Sequence, residues 1–193
     1  MKVRNLIATA TFCCAAAVLA REVSGVSMPE VASGDNKELR LNGMGARKEK
    51  ALFKVYVVAL YLEQPTLDAL EAIRSDERKR IVLSLLRDVS REQFVQAVET
   101  SIVRNSRVTM PALRDRLDLL EKALPALKTG NVLSFTYLPG VGTVMMGQGQ
   151  EMTIPGKDFA DALLSAWLGP KPISETLKRE LLAVAAPTGH SQR

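Results

Sequence analysis

The segment from Asn42 to Pro65 constrains the fold of this chain more than any other. Its second part, from Phe53 to Leu62, is apolar on both faces except for Lys54, Tyr56 and Tyr61. A strand of this kind is either covered on both sides or lines an apolar cavity. The part that precedes it carries an arginine, Arg47. An arginine and a tyrosine at the edge of apolar strands could together capture an acidic group with an apolar body.

Residues 1–20 have the pattern of a secretory signal peptide. Lys2 and Arg4 supply the positive start, Leu6 to Leu19 is free of charge, and Val18 and Ala20 are the small residues before a cleavage site. The apolar run is shorter than the ~20 residues of a membrane span, so an uncleaved anchor is the weaker alternative. The sequence therefore predicts cleavage after Ala20 and a periplasmic or secreted protein.

Removing this leader changes what the composition allows. Both cysteines, Cys13 and Cys14, lie in it, so the mature chain has no disulfide, thiol nucleophile or cysteine-bound metal. The leader also carries Lys2 and Arg4, so the formal net charge of +5 falls by two to +3. This mild excess is not gathered on a basic face with interleaved aromatics, and we expect no nucleic-acid partner.

The rest of the chain has the length of one domain with a sizeable core. Residues 21–36 are small and polar and predict a flexible lead-in, residues 37–184 the domain, and residues 185–193 a disordered tail.

Hydrophobic periodicity predicts the elements of that domain. Strands are expected at 37–43, 53–63, 80–89, 131–138, 143–146 and 151–154, and helices at 67–73, 90–104, 109–124, 157–168 and 174–183. Gly43 to Gly45 is expected to join the first two strands, and the charged residues 75–80 to form a solvated turn. Ser90 and Gln93 form a capping box. The order predicts an α+β fold, an antiparallel sheet covered by helices that can enclose an apolar slot.

Most catalytic chemistry is not supported by the sequence. The one histidine, His190, is in the predicted tail, a poor place for a triad base or a metal ligand. The Gly-x-Gly pairs at 43/45, 140/142 and 147/149 do not lie between a strand and a helix, and we interpret them as turn glycines. Asp158 and Asp161 suit the start of a helix better than acid–base work. We expect no metal and no cofactor.

Three segments in order resemble the chalcone isomerase-like superfamily, and in particular its bacterial exported branch. They are the opening motif from Gly43 to Glu63, the meander from Phe135 to Gln150, and the closing segment from Ile154 to Lys178. The resemblance covers most of residues 37–182. It implies an open-faced β-sandwich, in which helices lie over a large antiparallel sheet.

The resemblance also implies that most of the polar groups of the family's isomerases are missing here, which argues against isomerase activity. The family's enzymes use an arginine, matched by Arg47, and a strand threonine, whose place is taken by Tyr56. Their other polar groups, a helical tyrosine, lysine and asparagine and a late polar residue, fall here on Phe94, Ala97, Ser101 and Ala166.

Fatty-acid-binding members of the superfamily instead hold a carboxylate between an arginine and a tyrosine, which correspond to Arg47 and Tyr56. A guanidinium donates two parallel charge-assisted hydrogen bonds to a carboxylate, and a phenol donates a third. The remaining residues expected to line the slot are Val58, Phe94, Ala97, Val98 and Ser101. The resemblance thus implies a non-enzymatic binder or carrier of a fatty acid or similar apolar carboxylate.

Other interpretations of these residues stay open. Arg47 could be a surface arginine, Tyr56 an ordinary core tyrosine, and Phe94 part of a plain helix–sheet interface. Two other functions stay open as well: an intramolecular lyase acting on a phenolic or enone substrate, and a structural or partner-binding domain with a filled core. A cavity behind the strand Phe53 to Leu62 would favour the binder over the structural or partner-binding domain.

Overall fold

The computed structural model describes residues 19–34, 37–50, 52–105 and 108–183. Its strands are β1 (Ala20–Val23), β2 (Val26–Pro29), β3 (Val31–Gly34), β4 (Lys37–Glu49), β5 (Phe53–Leu62), β6 (Lys79–Leu85), β7 (Val132–Leu138), β8 (Gly142–Gly147) and β9 (Gln150–Ile154). Its helices are α1 (Ala69–Arg74), α2 (Arg91–Asn105), α3 (Met110–Ala123), α4 (Lys157–Leu168) and α5 (Glu175–Leu181). The predicted leader, His190 and the tail 185–193 lie outside the described residues, apart from Leu19 and Ala20.

Seven strands form one antiparallel sheet in the order β3-β4-β5-β6-β7-β8-β9. Strand β5 has almost the predicted bounds and lies between β4 and β6. The last three strands form the predicted meander. The α+β class and the curled antiparallel sheet with helices are therefore confirmed.

Both faces of β5 are buried, because the sheet is covered on both sides at this strand. Val58 and Leu60 face the main core, which is shared with the helices and contains Trp167 and Phe135. Val57 and Ala59 face a smaller core that includes Met28. The apolar-on-both-faces pattern of the sequence has this physical cause.

Within the predicted flexible lead-in, 21–36, the described residues 21–34 form strands, so the prediction was wrong for this part. Strands β1 and β2 form a hairpin, and β3 pairs with β4. Val23, Val26 and Met28 pack on the outer apolar face of the sheet, and Met28 is only 7% exposed. The few apolar side chains of this segment pack against residues of β4 and β5. The composition of the segment alone does not reveal this contact.

Gly43 and Gly45 lie inside β4 rather than in a joint between strands. A Cβ on Gly43 would lie 2.3 Å from the carbonyl oxygen of Glu180, and one on Gly45 would lie 2.0 Å from Oε2 of the same residue. These two glycines thus allow helix α5 to pack directly on the strand. Asn42, between them and the strand start, donates to the Leu181 carbonyl at 2.8 Å.

The helices begin where capping residues predict, except that α1 begins two residues later than expected. The Ser90 hydroxyl accepts from the Gln93 N–H at 3.1 Å and the Gln93 side chain accepts from the Ser90 N–H at 3.1 Å, as the capping box predicts. Helix α4 has the expected bounds. Helix α1 starts at Ala69 rather than at residue 67, because the side chain of Asp68 caps it.

The charged segment 75–80 is only partly a solvated turn. Lys79 belongs to β6 and is 1% exposed. Its ammonium donates to the carbonyls of Ala72, Ile73 and Ser75, each at 2.8 Å. This lysine therefore binds the last carbonyls of α1, which otherwise lack intrahelical donors.

Candidate functional site

A cavity of about 410 Å³ lies among strands β4 to β6, helix α2 and the end of helix α4. Its apolar wall includes Val55, Leu85, Val89, Phe94, Val98 and Trp167. This volume falls within the ~300–1,000 Å³ of small-molecule pockets. The sheet and its helices therefore do not form a completely filled core behind β5.

Arg47 and Tyr56 both line this cavity and are direct cross-strand partners on β4 and β5. Partners of this kind project to the same face of a sheet, with Cβ atoms about 4.5–5.5 Å apart. Tyr56 also pairs with Leu85 on β6, so the three side chains form a row across three strands. The predicted pair is thus brought together at the cavity.

Arg47 is half-buried. Nη1 donates to the neighbouring carbonyl of Lys48. Arg47 is in none of the ion pairs formed within the described ranges. A guanidinium beside an apolar cavity without a carboxylate partner is suited to an anionic ligand.

The hydroxyl of Tyr56 accepts a hydrogen bond from the Trp167 indole Nε1 at 3.1 Å. Both side chains are buried, at 7% and 1% exposure. Burial raises the pKa of Tyr56 to about 12, although the Trp167 hydrogen bond and the charge of Arg47 act in the opposite direction. Tyr56 is therefore neutral at physiological pH. Because indole N–H only donates, the phenol proton stays available for an acceptor in the cavity.

Helix α2 supplies the apolar wall opposite these strands. Phe94, Ala97 and Val98 are spaced at three and four residues and lie on one face, as predicted, and all three line the cavity. The Phe94 ring stacks on Phe135 of β7, with ring centroids 6.3 Å apart. The predicted slot between helix and sheet is present at these positions.

Two predicted lining residues do not face this cavity. Val58 is fully buried and belongs to the core, because it lies one pleat repeat further along β5 than Tyr56. Ser101 is 4% exposed and lines a neighbouring groove of about 360 Å³, which also contacts Arg47 and Ala97. Its hydroxyl donates to the Ala166 carbonyl at 3.3 Å, which ties α2 to α4.

Four charged residues line the cavity: Arg47, Arg87, Glu49 and Asp88. The last three are exposed and mark its opening. Asp88 already has partners, since it accepts from Lys128 Nζ at 2.8 Å and from the Thr129 N–H at 2.9 Å. The bond from Lys128 and those from Thr129 lower the pKa of its carboxyl to about 2.

Sequence reasoning missed Trp167, Gln93 and Ile173 as parts of the site. The sequence pattern places Trp167 in the helix expected at 157–168 but gives it no role at the cavity. A buried indole N–H needs a hydrogen-bond acceptor, so a tryptophan on the apolar side of a helix indicates a polar group near it. Which acceptor it meets depends on a contact 111 residues away in the chain.

No cluster of three or more His, Cys, Asp or Glu side chains within the described ranges could hold a metal ion. The helices described here include none that is long and apolar enough to cross a bilayer.

Comparisons with known proteins agree with the fold. The family model described as chalcone isomerase-like matches residues 20–183, starting at β1. Among solved structures, a fatty-acid-binding protein of Arabidopsis thaliana has a TM-score of 0.67 and 16% sequence identity, over 86% of this chain and 96% of that one. At this identity the likeness establishes the fold alone. A search of curated proteins gave no match.

Proposed function

The chain belongs to the chalcone isomerase-like family, and we propose that it is a non-enzymatic binder or carrier of a fatty acid or a similar apolar carboxylate. One observation carries the proposal: Arg47 and Tyr56 lie side by side on adjacent strands, in an otherwise mainly apolar cavity. The name of the Arabidopsis structure, a fatty-acid-binding protein, supports the same ligand class.

The polar pair suits a carboxylate head group. Arg47 supplies a permanent positive charge and parallel N–H donors, and a carboxylate can accept two of them at once. Tyr56 supplies a neutral O–H whose oxygen is already held in place by Trp167. A ligand bound here would replace the solvent that otherwise pairs with Arg47.

The apolar wall suits an acyl chain. Each methylene moved from water into such surroundings stabilises a complex by about 0.8 kcal/mol before ordering costs are subtracted. The chain of a fatty acid would therefore supply most of the affinity, and the Arg47–Tyr56 pair would set its direction. The positive charge of Arg47 would favour acids over alcohols, because an alcohol carries no negative charge and has one oxygen, not two, to accept its parallel N–H groups.

The wall of helix α2 favours binding over isomerase catalysis. Phe94 and Ala97 line the cavity where the family's enzymes carry polar groups. Tyr56 is held neutral by burial, so it can donate a hydrogen bond but is a poor base. We therefore keep the lyase reaction as the less favoured alternative.

We propose that the protein is exported, as the pattern of residues 1–20 predicts. Cleavage after Ala20 would give Arg21 as the first residue, within β1. Arg21 forms an ion pair with Glu30 on the neighbouring segment, at 3.1 Å, and would retain it. The mass of the intact protein from the periplasm or medium tests this cleavage directly.

The fatty-acid proposal can be tested with the protein's own fluorescence. Trp167 is the only tryptophan of the chain and lines the cavity, so its emission should change when a ligand enters. We expect saturable titration with palmitate, and titration with the matching fatty alcohol only at roughly 10- to 100-fold higher concentrations, because the alcohol keeps the apolar contacts but lacks the charge-assisted pair.

The matched variants are Arg47→Ala and Lys48→Ala, which remove equal charge from neighbouring residues of β4. Only Arg47 lines the cavity. Loss of a charge-assisted pair costs ~1.5–3 kcal/mol, so Arg47→Ala should weaken palmitate binding roughly 10- to 100-fold. Lys48→Ala should bind as wild type, and urea unfolding should give similar stabilities. Equal affinity in both variants would contradict the proposal.

A further inference from the structure

Two large apolar side chains at the start of β5 and just before it are exposed to solvent. Leu52 is 80% exposed and Phe53 is 52% exposed. Among the described residues, Leu52 is the most exposed of the large hydrophobics. Exposed apolar residues that lie together, next to a polar rim, are typical of interaction sites.

Cations surround these two residues. Lys48, Lys50 and Lys54 are all exposed, and Arg87 lies over the Phe53 ring, 5.4 Å from its centroid. We call Lys48, Lys50, Leu52, Phe53 and Lys54 the basic tip. The acids nearby are Glu49, beside Phe53 in the sheet, and Asp88, which is already bonded to Lys128.

Two of the lysines of the basic tip face each other across adjacent strands. Lys48 and Lys54 are direct cross-strand partners, and like charges placed opposite each other destabilise a sheet. A negative surface against the tip would remove this repulsion.

The basic tip adjoins the opening of the cavity. Glu49 and Arg87 line the cavity and also line a surface depression shared with Phe53 and Lys50. A surface contacted by the tip would therefore lie next to the cavity opening.

We propose that the basic tip docks the protein on an anionic lipid bilayer, with Leu52 and Phe53 entering the interface and the lysines contacting lipid head groups. The inference rests on the proposed function, because it explains how an apolar acid would pass between membrane and cavity without crossing water. An anionic bilayer combines the two chemistries that the tip presents, negative charge and accessible apolar depth.

The test is sedimentation of the protein, purified after export, with vesicles. One set contains equal amounts of phosphatidylglycerol and phosphatidylcholine, and the other contains phosphatidylcholine alone. We expect binding to the first set that weakens with added salt. Lys48→Gln with Lys54→Gln should weaken it on the order of 10- to 30-fold, at roughly fivefold per charge. Leu52→Ser with Phe53→Ser should weaken it at least about tenfold.

The control is Leu67→Ser with Leu70→Ser, since these leucines are also exposed, at 70% and 48%, but are not part of the tip. This variant should bind vesicles as wild type. Equal binding to both vesicle sets, or full binding by the Leu52/Phe53 variant, would overturn the proposal. So would self-association in gel filtration that is lost in that variant, because the tip would then contact a second copy of the chain.

Palmitate titration without vesicles separates this inference from the proposed function. The Leu52/Phe53 variant should keep the wild-type affinity, because neither residue lines the cavity. Palmitate binding without vesicle binding would refute the docking surface alone. Vesicle binding without palmitate binding would refute the proposed ligand and leave the docking surface supported.

Discussion

Replacing Tyr56 with phenylalanine should lower both stability and ligand affinity, because its hydroxyl accepts a hydrogen bond from Trp167 and is proposed to donate one to the ligand carboxylate. In the unliganded protein it is the acceptor for the Trp167 N–H at 3.1 Å. Trp167 is 1% exposed, so the variant leaves a buried donor without its partner. The aromatic ring itself stays, and no large cavity is created.

The size of the stability loss follows from that unpaired donor. An unsatisfied buried group costs ~1–3 kcal/mol of unfolding free energy. For a domain of this size each kcal/mol lowers the melting temperature by ~2–4 °C, so a decrease of roughly 2–12 °C is expected. Calorimetry of the ligand-free protein measures it, with urea unfolding as a second readout.

Tyr61→Phe is the matched control. Tyr61 is equally an internal β5 tyrosine, but its hydroxyl donates to the Pro29 carbonyl at 2.9 Å, and it faces the smaller core on the other side of the sheet. This variant should leave palmitate affinity unchanged, whereas Tyr56→Phe should weaken it about tenfold or more through loss of a bond to a charged acceptor. An unchanged melting temperature and affinity in Tyr56→Phe would refute the role assigned to this hydroxyl.

Three further predictions concern the rest of the fold. The three tyrosines, Tyr56, Tyr61 and Tyr137, each have a pKa raised to about 12, mainly by burial, so tyrosinate absorbance of the folded protein should not rise near pH 10. The neutral form of each tyrosine is favoured in the folded state. The resulting contribution to the free energy of unfolding is fully present below pH ~10 and is lost as the pH rises through about 12. Titration of the tyrosines near pH 10 with the fold intact would contradict this prediction. Gly43→Ala should destabilise the domain by ~1–3 kcal/mol in urea unfolding, because its Cβ would meet backbone of α5, and an unchanged midpoint would disprove this close approach. Ser90→Ala should cost about 1 kcal/mol through loss of the α2 cap, with no change in palmitate affinity, and a neutral effect on stability would contradict the capping role.

Local sequence signals predicted those elements whose determinants are local. Strand β5 was recognised from its continuous apolar run, and helix α2 from its capping box and the Phe94–Val98 spacing. The meander followed from glycine turns such as Gly149, which has a φ of +76°. The Arg47–Tyr56 pair depended on the family resemblance, and the cross-strand register then brought the two residues together.

The features that were missed depend on distant contacts. Lys79 belongs to a charged segment, and its burial is tolerated only because three carbonyls of the α1 end surround its ammonium. Gly43 resembles a turn glycine until helix α5 is placed against it. Met28 is one apolar residue in a polar segment until the outer sheet face is known. Hydrophobic periodicity carries no information on such pairings.

The most direct test of the central claim is mass spectrometry of the denatured extract of exported protein, to identify a small molecule that co-purifies. Wild type should carry long-chain fatty acid in near-stoichiometric amount. Arg47→Ala, folded and equally stable, should have lost it, while Lys48→Ala should retain it. Absence of any fatty acid from the wild type, or equal amounts in wild type and Arg47→Ala, would contradict the account of a cavity that holds a carboxylate between Arg47 and Tyr56.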